Sequence, residues 1–363
     1  MTPSVEALPP GLVTLADHEA HARTRLDDNA WAYFSGAAGD EITLRANRHA
    51  WDRLALLPRV LQPLAGFHTR VELLGRALAH PLLVAPMAWQ RMAHADGEIA
   101  MAHAAAAQGA GLVLSTQASQ PLEAVSQAFA AYPEAGPLWF QLYLQADRGF
   151  TRQLVQRVEA AGYQALVLTV DAPVQGARDR ERRAGFRLPP GISAVNLEGT
   201  SPAASLLDTA PTWSDVQWLL GITRLPVLLK GVMHPDDARQ AAALGVAGLI
   251  VSNHGGRTLD TAVSTAWALP RVADATGGSL PLLVDGGIRR GTDVLKALAL
   301  GARAVLVGRP CLWGLANAGA VGAAHVLRLL RDEYEIAQAL CGCVAPVDIT
   351  GAIVIANATD SHL

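Results

Sequence analysis

Eight short apolar runs, each followed by a stretch of helical pattern, constrain the fold of this chain more than any other feature. The runs lie at 82–85, 111–115, 138–143, 165–170, 226–230, 248–252, 281–285 and 304–307. Each has the length of a strand and is too short for a globular helix. Helical pattern follows at 97–108, from 121, at 150–161, near 214, from 235, near 265, at 292–300 and beyond 307. The runs are apolar at consecutive positions, as parallel strands are when both faces are covered. Eight such units over about 250 residues predict an α/β fold, a (β/α)8 TIM barrel. The alternative is a doubly wound open sheet. It would carry Gly-x-Gly-x-x-Gly after its first strand, and no such fingerprint follows 82–85.

The 363 residues read as one domain. A helical preface is expected over 1–80, with helices at 20–34 and 40–51 joined by Ser35-Gly36-Ala37-Ala38-Gly39. The barrel takes 81–345. An irregular insert at 172–211, rich in Arg, Pro, Gly and Ser, is expected to be a mobile flap over the active face. A formal charge of -3 gives no reason to expect nucleic acid or an anionic surface as partner. The N-terminus lacks a basic segment ahead of an apolar one, so no signal peptide is expected. No apolar run approaches the roughly 20 residues of a membrane span. Cys311, Cys341 and Cys343 lack the spacing of a zinc site and read as free thiols in a reducing, cytoplasmic compartment, with no metal.

In a barrel of this type the chemistry gathers where the strands end. Those ends hold Pro86-Met87-Ala88, Ser115, Gln141 with Tyr143, Thr169 with Asp171, Lys230, Ser252 with His254, Asp285, and Gly308-Arg309. Any one of these is also an ordinary turn residue, but all eight ends carry a group suited to a ligand. His254 takes a proton near neutral pH, and Arg257 offers a planar fork to a carboxylate. Asp171 and His254 close strands four and six, and alternate strands share an inward layer; the carboxylate is expected to orient the imidazole. Gly286, Gly287, Arg289, Gly308 and Arg309 follow strands seven and eight, the usual phosphate position of this fold. Lys230, one of only two lysines, ends an apolar strand. Its plain role is a salt bridge to a nearby Asp; its sharper role is a cation beside a cofactor that becomes negative.

Assembled, these residues resemble the FMN-dependent 2-hydroxy acid oxidase and dehydrogenase family, which includes glycolate oxidase, lactate oxidase and mandelate dehydrogenase. The resemblance runs from about Leu15 to Leu340. It is carried by Ser252-Asn253-His254-Gly255-Gly256-Arg257, Lys230-Gly231-Val232, 285–293, Phe140-Gln141-Leu142-Tyr143, Ala46-Asn47-Arg48 and Met92-Ala93-His94. It implies His254 as active-site base with Asp171 as its partner. Tyr33, Arg178 and Arg257 would hold the substrate carboxylate, and Tyr143 would lie near the substrate hydroxyl. For FMN, it implies Pro86, Met87 and Ala88 near N5, with Ser115, Gln141 and Thr169 on the ring system. Lys230 would stand by N1, with Ser252 and Asp285 holding the flavin or its ribityl chain. Gly286, Gly287, Arg289, Gly308 and Arg309 would take the phosphate.

The implied reaction converts an (S)-2-hydroxy acid to the 2-keto acid. His254 would accept a proton from the hydroxyl in a hydride mechanism, or from Cα in a carbanion mechanism. The resemblance also implies a homotetramer. Dioxygen is the expected electron acceptor, with a quinone or a protein as the alternative. Gln117 and Trp89 depart from the family pattern beside the substrate pocket and bear on side-chain preference. Two rival functions remain: a phosphate-binding isomerase or aldolase using Lys230 as Schiff base, and a flavin-binding protein without catalysis.

Overall fold

A computed structural model describes residues 6–199 and 210–356. The eight expected strands are all present: β1 (Leu82–Val84), β2 (Gly111–Ser115), β3 (Leu138–Leu142), β4 (Leu166–Thr169), β5 (Val227–Lys230), β6 (Gly248–Val251), β7 (Leu282–Val284) and β8 (Ala304–Val307). All neighbours pair in parallel, and β8 pairs with β1 to close a TIM barrel. The barrel strands are buried along their whole length.

Alternation along the strands divides the core in two. Val113, Trp139, Val167, Leu228, Ile250, Leu283 and Leu306 form a cluster inside the barrel. Leu112, Phe140, Leu168, Leu229, Val251, Val284 and Val307 belong to the larger cluster that takes in the helices. Side chains repeat every second residue along a strand. The inward series therefore continues, two residues on, to Ser115, Gln141, Thr169, Lys230, Ser252 and Asp285. The polar site is the top layer of the barrel interior. Each fully buried Leu, Val or Ile beneath it contributes about 1.5–3 kcal/mol.

The helices are α1 (Leu15–Arg25), α2 (Asp28–Ser35), α3 (Ile42–Asp52), α4 (Gly97–Ala107), α5 (Leu122–Ala130), α6 (Arg148–Ala160), α7 (Asp179–Arg183), α8 (Trp213–Ile222), α9 (Pro235–Leu244), α10 (Thr265–Thr276), α11 (Gly291–Ala299) and α12 (Arg309–Leu340). The last is broken at Ala318 and Gly319. The single helix expected at 20–34 is two. Leu26 turns to extended backbone, and the Asp27 carboxylate accepts from Ala30 N to start α2.

The preface is helical only as far as Asp52. Val71–Leu73 and Arg76–Leu78 form a hairpin whose Leu73 and Leu78 join the barrel's inner cluster. Leu54–Leu56 pairs with Val354–Ala356 from the other end of the chain. The hairpin plugs the mouth opposite the polar layer. Runs of three residues are too short for a sequence period to reveal them. The insert at 172–211 is not wholly irregular, since it contains α7; its residues 200–209 lie outside the described part.

Two histidines in this scaffold make stability depend on acid. His18 is fully buried; its Nε2 shares a hydrogen bond with His325 Nδ1 at 2.9 Å, and Asn317 donates to its carbonyl at 3.0 Å. His80 is equally buried and bonds Gln108 O at 2.8 Å. Burial, then the neighbouring His325, depresses His18 to about 4; burial depresses His80 to about 4 as well. Both are neutral in the folded chain at pH 7, and the unfolded chain binds their protons first as pH falls. Their contribution is complete above about pH 6.5 and drains away toward about pH 4, on the order of 3 kcal/mol for each. The thermal midpoint is expected to fall across that window. A midpoint level from pH 7 to pH 4 rules the effect out.

Candidate active site

The cavity at the C-terminal mouth of the barrel has a volume of about 780 Å³. At one end the strand-tip side chains bond to one another. Ser115 Oγ donates to Gln141 Oε1 at 3.2 Å, and Gln141 Nε2 donates to Thr169 Oγ1 at 3.0 Å. Across the barrel, Lys230 Nζ lies 2.9 Å from Ser252 Oγ and 3.2 Å from Asp285 Oδ2. Burial opposes the lysine's charge, but Asp285 and then Asp171 outweigh it and raise its pKa. The plain reading of Lys230 as a salt-bridge partner thus holds. Its position in the cavity wall also leaves it facing a ligand.

Ser252 lies just beneath the cavity wall. It is fully buried and does not line the cavity. Its hydroxyl accepts from Lys230 and from the His254 backbone N at 3.1 Å, so it supports the two residues that do. The backbone turns left-handed at His254, with φ 58°, and stays so through Gly255 and Gly256. Such backbone in a non-glycine residue is strained and is held only by its surroundings. The turn lets the imidazole bridge two groups. Nδ1 lies 2.9 Å from Asp171 Oδ1, and Nε2 lies 3.5 Å from the Tyr143 hydroxyl. Asp171 stands behind the histidine, outside the cavity wall. Gly231 makes room for it, since a Cβ there would come 2.4 Å from Asp171 Cβ. Burial pushes the Asp171 carboxyl upward, but His254 and Lys230 outweigh this and hold it below its usual value. It is ionised at working pH, which fixes a proton on Nδ1 and leaves Nε2 as the acceptor. Burial raises the Tyr143 pKa, so its hydroxyl stays neutral.

Beside the histidine, Arg257 donates to Tyr33 O at 2.6 Å and Gly36 O at 2.8 Å, and its guanidinium lies 4.8 Å from the centre of the Tyr33 ring. Arg178 Nε donates to Arg257 O at 3.3 Å. Burial, and next the charge of Arg257, lowers the Arg178 pKa. Tyr33 stacks on Phe186 at 4.8 Å and packs against Trp89 at 5.2 Å. Gln117 and Trp89 both line the cavity. Of the residues singled out in the sequence, all but Asp171 and Ser252 reach the cavity wall.

Glu181 was not among them, yet it lines the cavity and bonds to both Arg178 and Arg257. In the sequence it sits within Asp179-Arg180-Glu181-Arg182-Arg183, a charge run with the look of a solvated face. Phe186, Leu144 and Leu197 also escaped notice, since lone apolar residues in loops carry no periodic signal.

The far end of the cavity is cationic. Arg289 donates to Ile288 O, and Arg309 donates to Phe34 O, Gly255 O and Gly36 O; neither has a carboxylate partner among the described residues. Burial lowers both, Arg309 to about 9. The Arg309 side chain was expected on the phosphate itself. Its three carbonyl bonds show that it also ties the α2 end and the His254 turn to the barrel. Gly287 has φ 82° and packs where a Cβ would meet Asn47 O at 2.4 Å, so only glycine fits. Two enclosed guanidinium groups without acids, beside glycine loops and the start of α12, complement a dianion. The orphaned Asp285 Oδ1 marks a further point where a ligand donor is missing. The residues present fit a phosphorylated cofactor with polar ring atoms.

A barrel with this division, phosphate end and proton-transfer end, belongs to the cofactor-dependent barrel enzymes acting on small anions. A family model described as FMN-dependent dehydrogenase matches residues 22–356. The chain belongs to that family, and FMN is its cofactor. It is 46% identical over 352 residues to an L-lactate oxidase of Nostoc sp., covering 93% of this chain and 96% of the relative. It is 44% identical over 353 residues to Glycolate oxidase 1 of Zea mays, covering 93% and 94%. A crystal structure of mandelate oxidase with (S)-2-phenylpropionate superposes with a TM-score of 0.86 at 42% identity, covering 94% of this chain and 98% of that one.

Proposed function

We propose that the protein oxidises a small (S)-2-hydroxy acid to its 2-keto acid, with dioxygen as electron acceptor. The single observation that carries this reading is the His254–Asp171 pair beside Arg178 and Arg257 in one cavity. The oxidase names of the relatives favour dioxygen over a quinone or protein acceptor. When bound, FMN would supply the two-electron redox chemistry that links substrate to acceptor. Ser115, Gln141, Thr169, Lys230, Asp285 and the backbone of Pro86, Met87 and Ala88 would hold its ring system. Gly286, Gly287, Arg289, Gly308 and Arg309 would hold its phosphate.

The chain's own residues do the rest. Arg178, Arg257 and Tyr33 bind the substrate carboxylate and fix its orientation, the kind of positioning that supplies much of a rate. His254 Nε2 accepts a substrate proton. Asp171 keeps the proton on Nδ1 and stabilises the imidazolium that results. Tyr143 donates a hydrogen bond from its hydroxyl to the substrate oxygen and keeps its proton. The Tyr33–Trp89–Phe186 wall limits access of water. Buried free cysteines suit a reducing compartment, and we assign the protein to the cytoplasm; the homotetramer rests on the family resemblance alone. No helix among the described residues is long and apolar enough to cross a membrane.

The test is anaerobic mixing of the yellow protein with a panel of 2-hydroxy acids, followed by air. Bleaching by an (S)-2-hydroxy acid and rapid recovery in air are expected. A protein that no panel member bleaches is not this enzyme, and slow recovery would move the acceptor to a quinone or protein. Arg257→Met is expected to lower kcat/KM by about 10- to 100-fold, the loss of a charge-assisted hydrogen bond of ~1.5–3 kcal/mol. Unchanged kcat/KM in steady-state assays removes Arg257 from the clamp.

A further inference from the structure

The two arginines of the clamp share one acid of the chain itself. Glu181, on α7 in the flap, is buried with a side chain 6% exposed. Its Oε1 accepts from Arg257 Nη2 at 3.1 Å and from Arg178 Nη1 at 3.4 Å. Among the described residues lining the cavity the only acids are Glu181 and Asp285, and Asp285 is paired with Lys230. Arg178, Arg257 and Glu181 together carry a net charge of plus one. Arg178 Nη2 and Arg257 Nε make no hydrogen bond among the described residues, which leaves both free to donate to a ligand.

A net charge of plus one matches one carboxylate. Two guanidinium groups without Glu181 would carry plus two and would favour a ligand with two carboxylates. Burial strengthens the distinction, because charges enclosed by protein are screened far less than charges in water.

We propose that Glu181 is a specificity-determining and positioning residue that sets the clamp to plus one, so that the site accepts 2-hydroxy monocarboxylates and discriminates against dicarboxylates of similar size. This rests on the reading that Arg178 and Arg257 hold the substrate carboxylate. Glu181 takes no part in bond making.

The test compares propionate and malonate, which share a three-carbon chain and differ by a second carboxylate in place of a methyl group. Their dissociation constants are measured by calorimetry on the FMN-loaded protein at mildly alkaline pH. In Glu181→Gln the preference for malonate over propionate is expected to rise at least about ten-fold over wild type. Glu181→Asp, which keeps the charge, is expected to return the wild-type ratio. Arg178→Gln, which leaves the clamp neutral, is expected to shift the ratio the other way, and this arm decides the matter should Glu181→Gln fail to fold. A ratio within two-fold of wild type in both Gln variants overturns the proposal, as does an Asp variant that behaves like Gln. Arg257→Met separates the two readings. If it weakens both ligands while the ratios stay flat, only the role of Glu181 fails. If it weakens neither, the clamp itself fails, and the proposal with it.

Discussion

Replacing His254 by alanine is expected to leave the protein yellow and to slow its anaerobic reduction by an (S)-2-hydroxy acid about 10²- to 10⁴-fold. That is the range a positioned base supplies, roughly 3–5 kcal/mol of barrier. Flavin retention follows from geometry. His254 lies with Asp171 and Tyr143, whereas the guanidinium groups and glycine loops that fit the phosphate come after β7 and β8. Stopped-flow absorbance of the variant mixed with substrate in the absence of oxygen gives the rate directly. Bleaching at the wild-type rate would falsify the role of His254 as base. The expected loss is large because no other imidazole among the described residues lines the cavity.

Lys230→Met is expected to have the largest effect on stability. The ammonium lies 3.2 Å from Asp285, and the two side chains are 5% and 10% exposed. Truncating one partner of such a pair strands the other charge away from water, at a cost of about 3–5 kcal/mol. Asp285 is especially vulnerable, since its second oxygen already lacks a partner. The variant is expected to unfold at lower denaturant concentration and to lose FMN on dilution. The double variant Lys230→Met, Asp285→Asn is expected to recover much of the stability, because no buried charge is then left alone. Equal denaturant midpoints for Lys230→Met and wild type would show that Asp285 finds another cation or water.

How much of this was legible in the sequence depended on the kind of signal. The barrel strands were legible because parallel strands covered on both faces must be apolar at every position, and Leu166–Thr169 or Gly248–Val251 is unmistakable on that ground. The strand-end residues were legible for a related reason: a polar residue that closes such a run faces the mouth of the barrel. The hairpin at 71–78 was not legible, because Leu73 and Leu78 act as a plug only after the barrel has closed above them. Glu181 was hidden by its neighbours. Nothing in a run of alternating charges tells which one turns inward.

The sequence by itself determined the repeating unit, the ring of ligand-binding groups and, through its motifs, the family. Those features rest on local chemistry: strand period, residue type and spacing along the chain. Only the tertiary structure decided how the groups are shared. It set Asp171 behind His254 across 83 residues of chain, moved Ser252 from the cavity wall to a support beneath it, and engaged Arg309 with three carbonyls. It also brought Glu181 between the two arginines of the clamp. These are pairings between distant segments. Closure of the barrel decides which charges meet, and so the net charge that a substrate encounters.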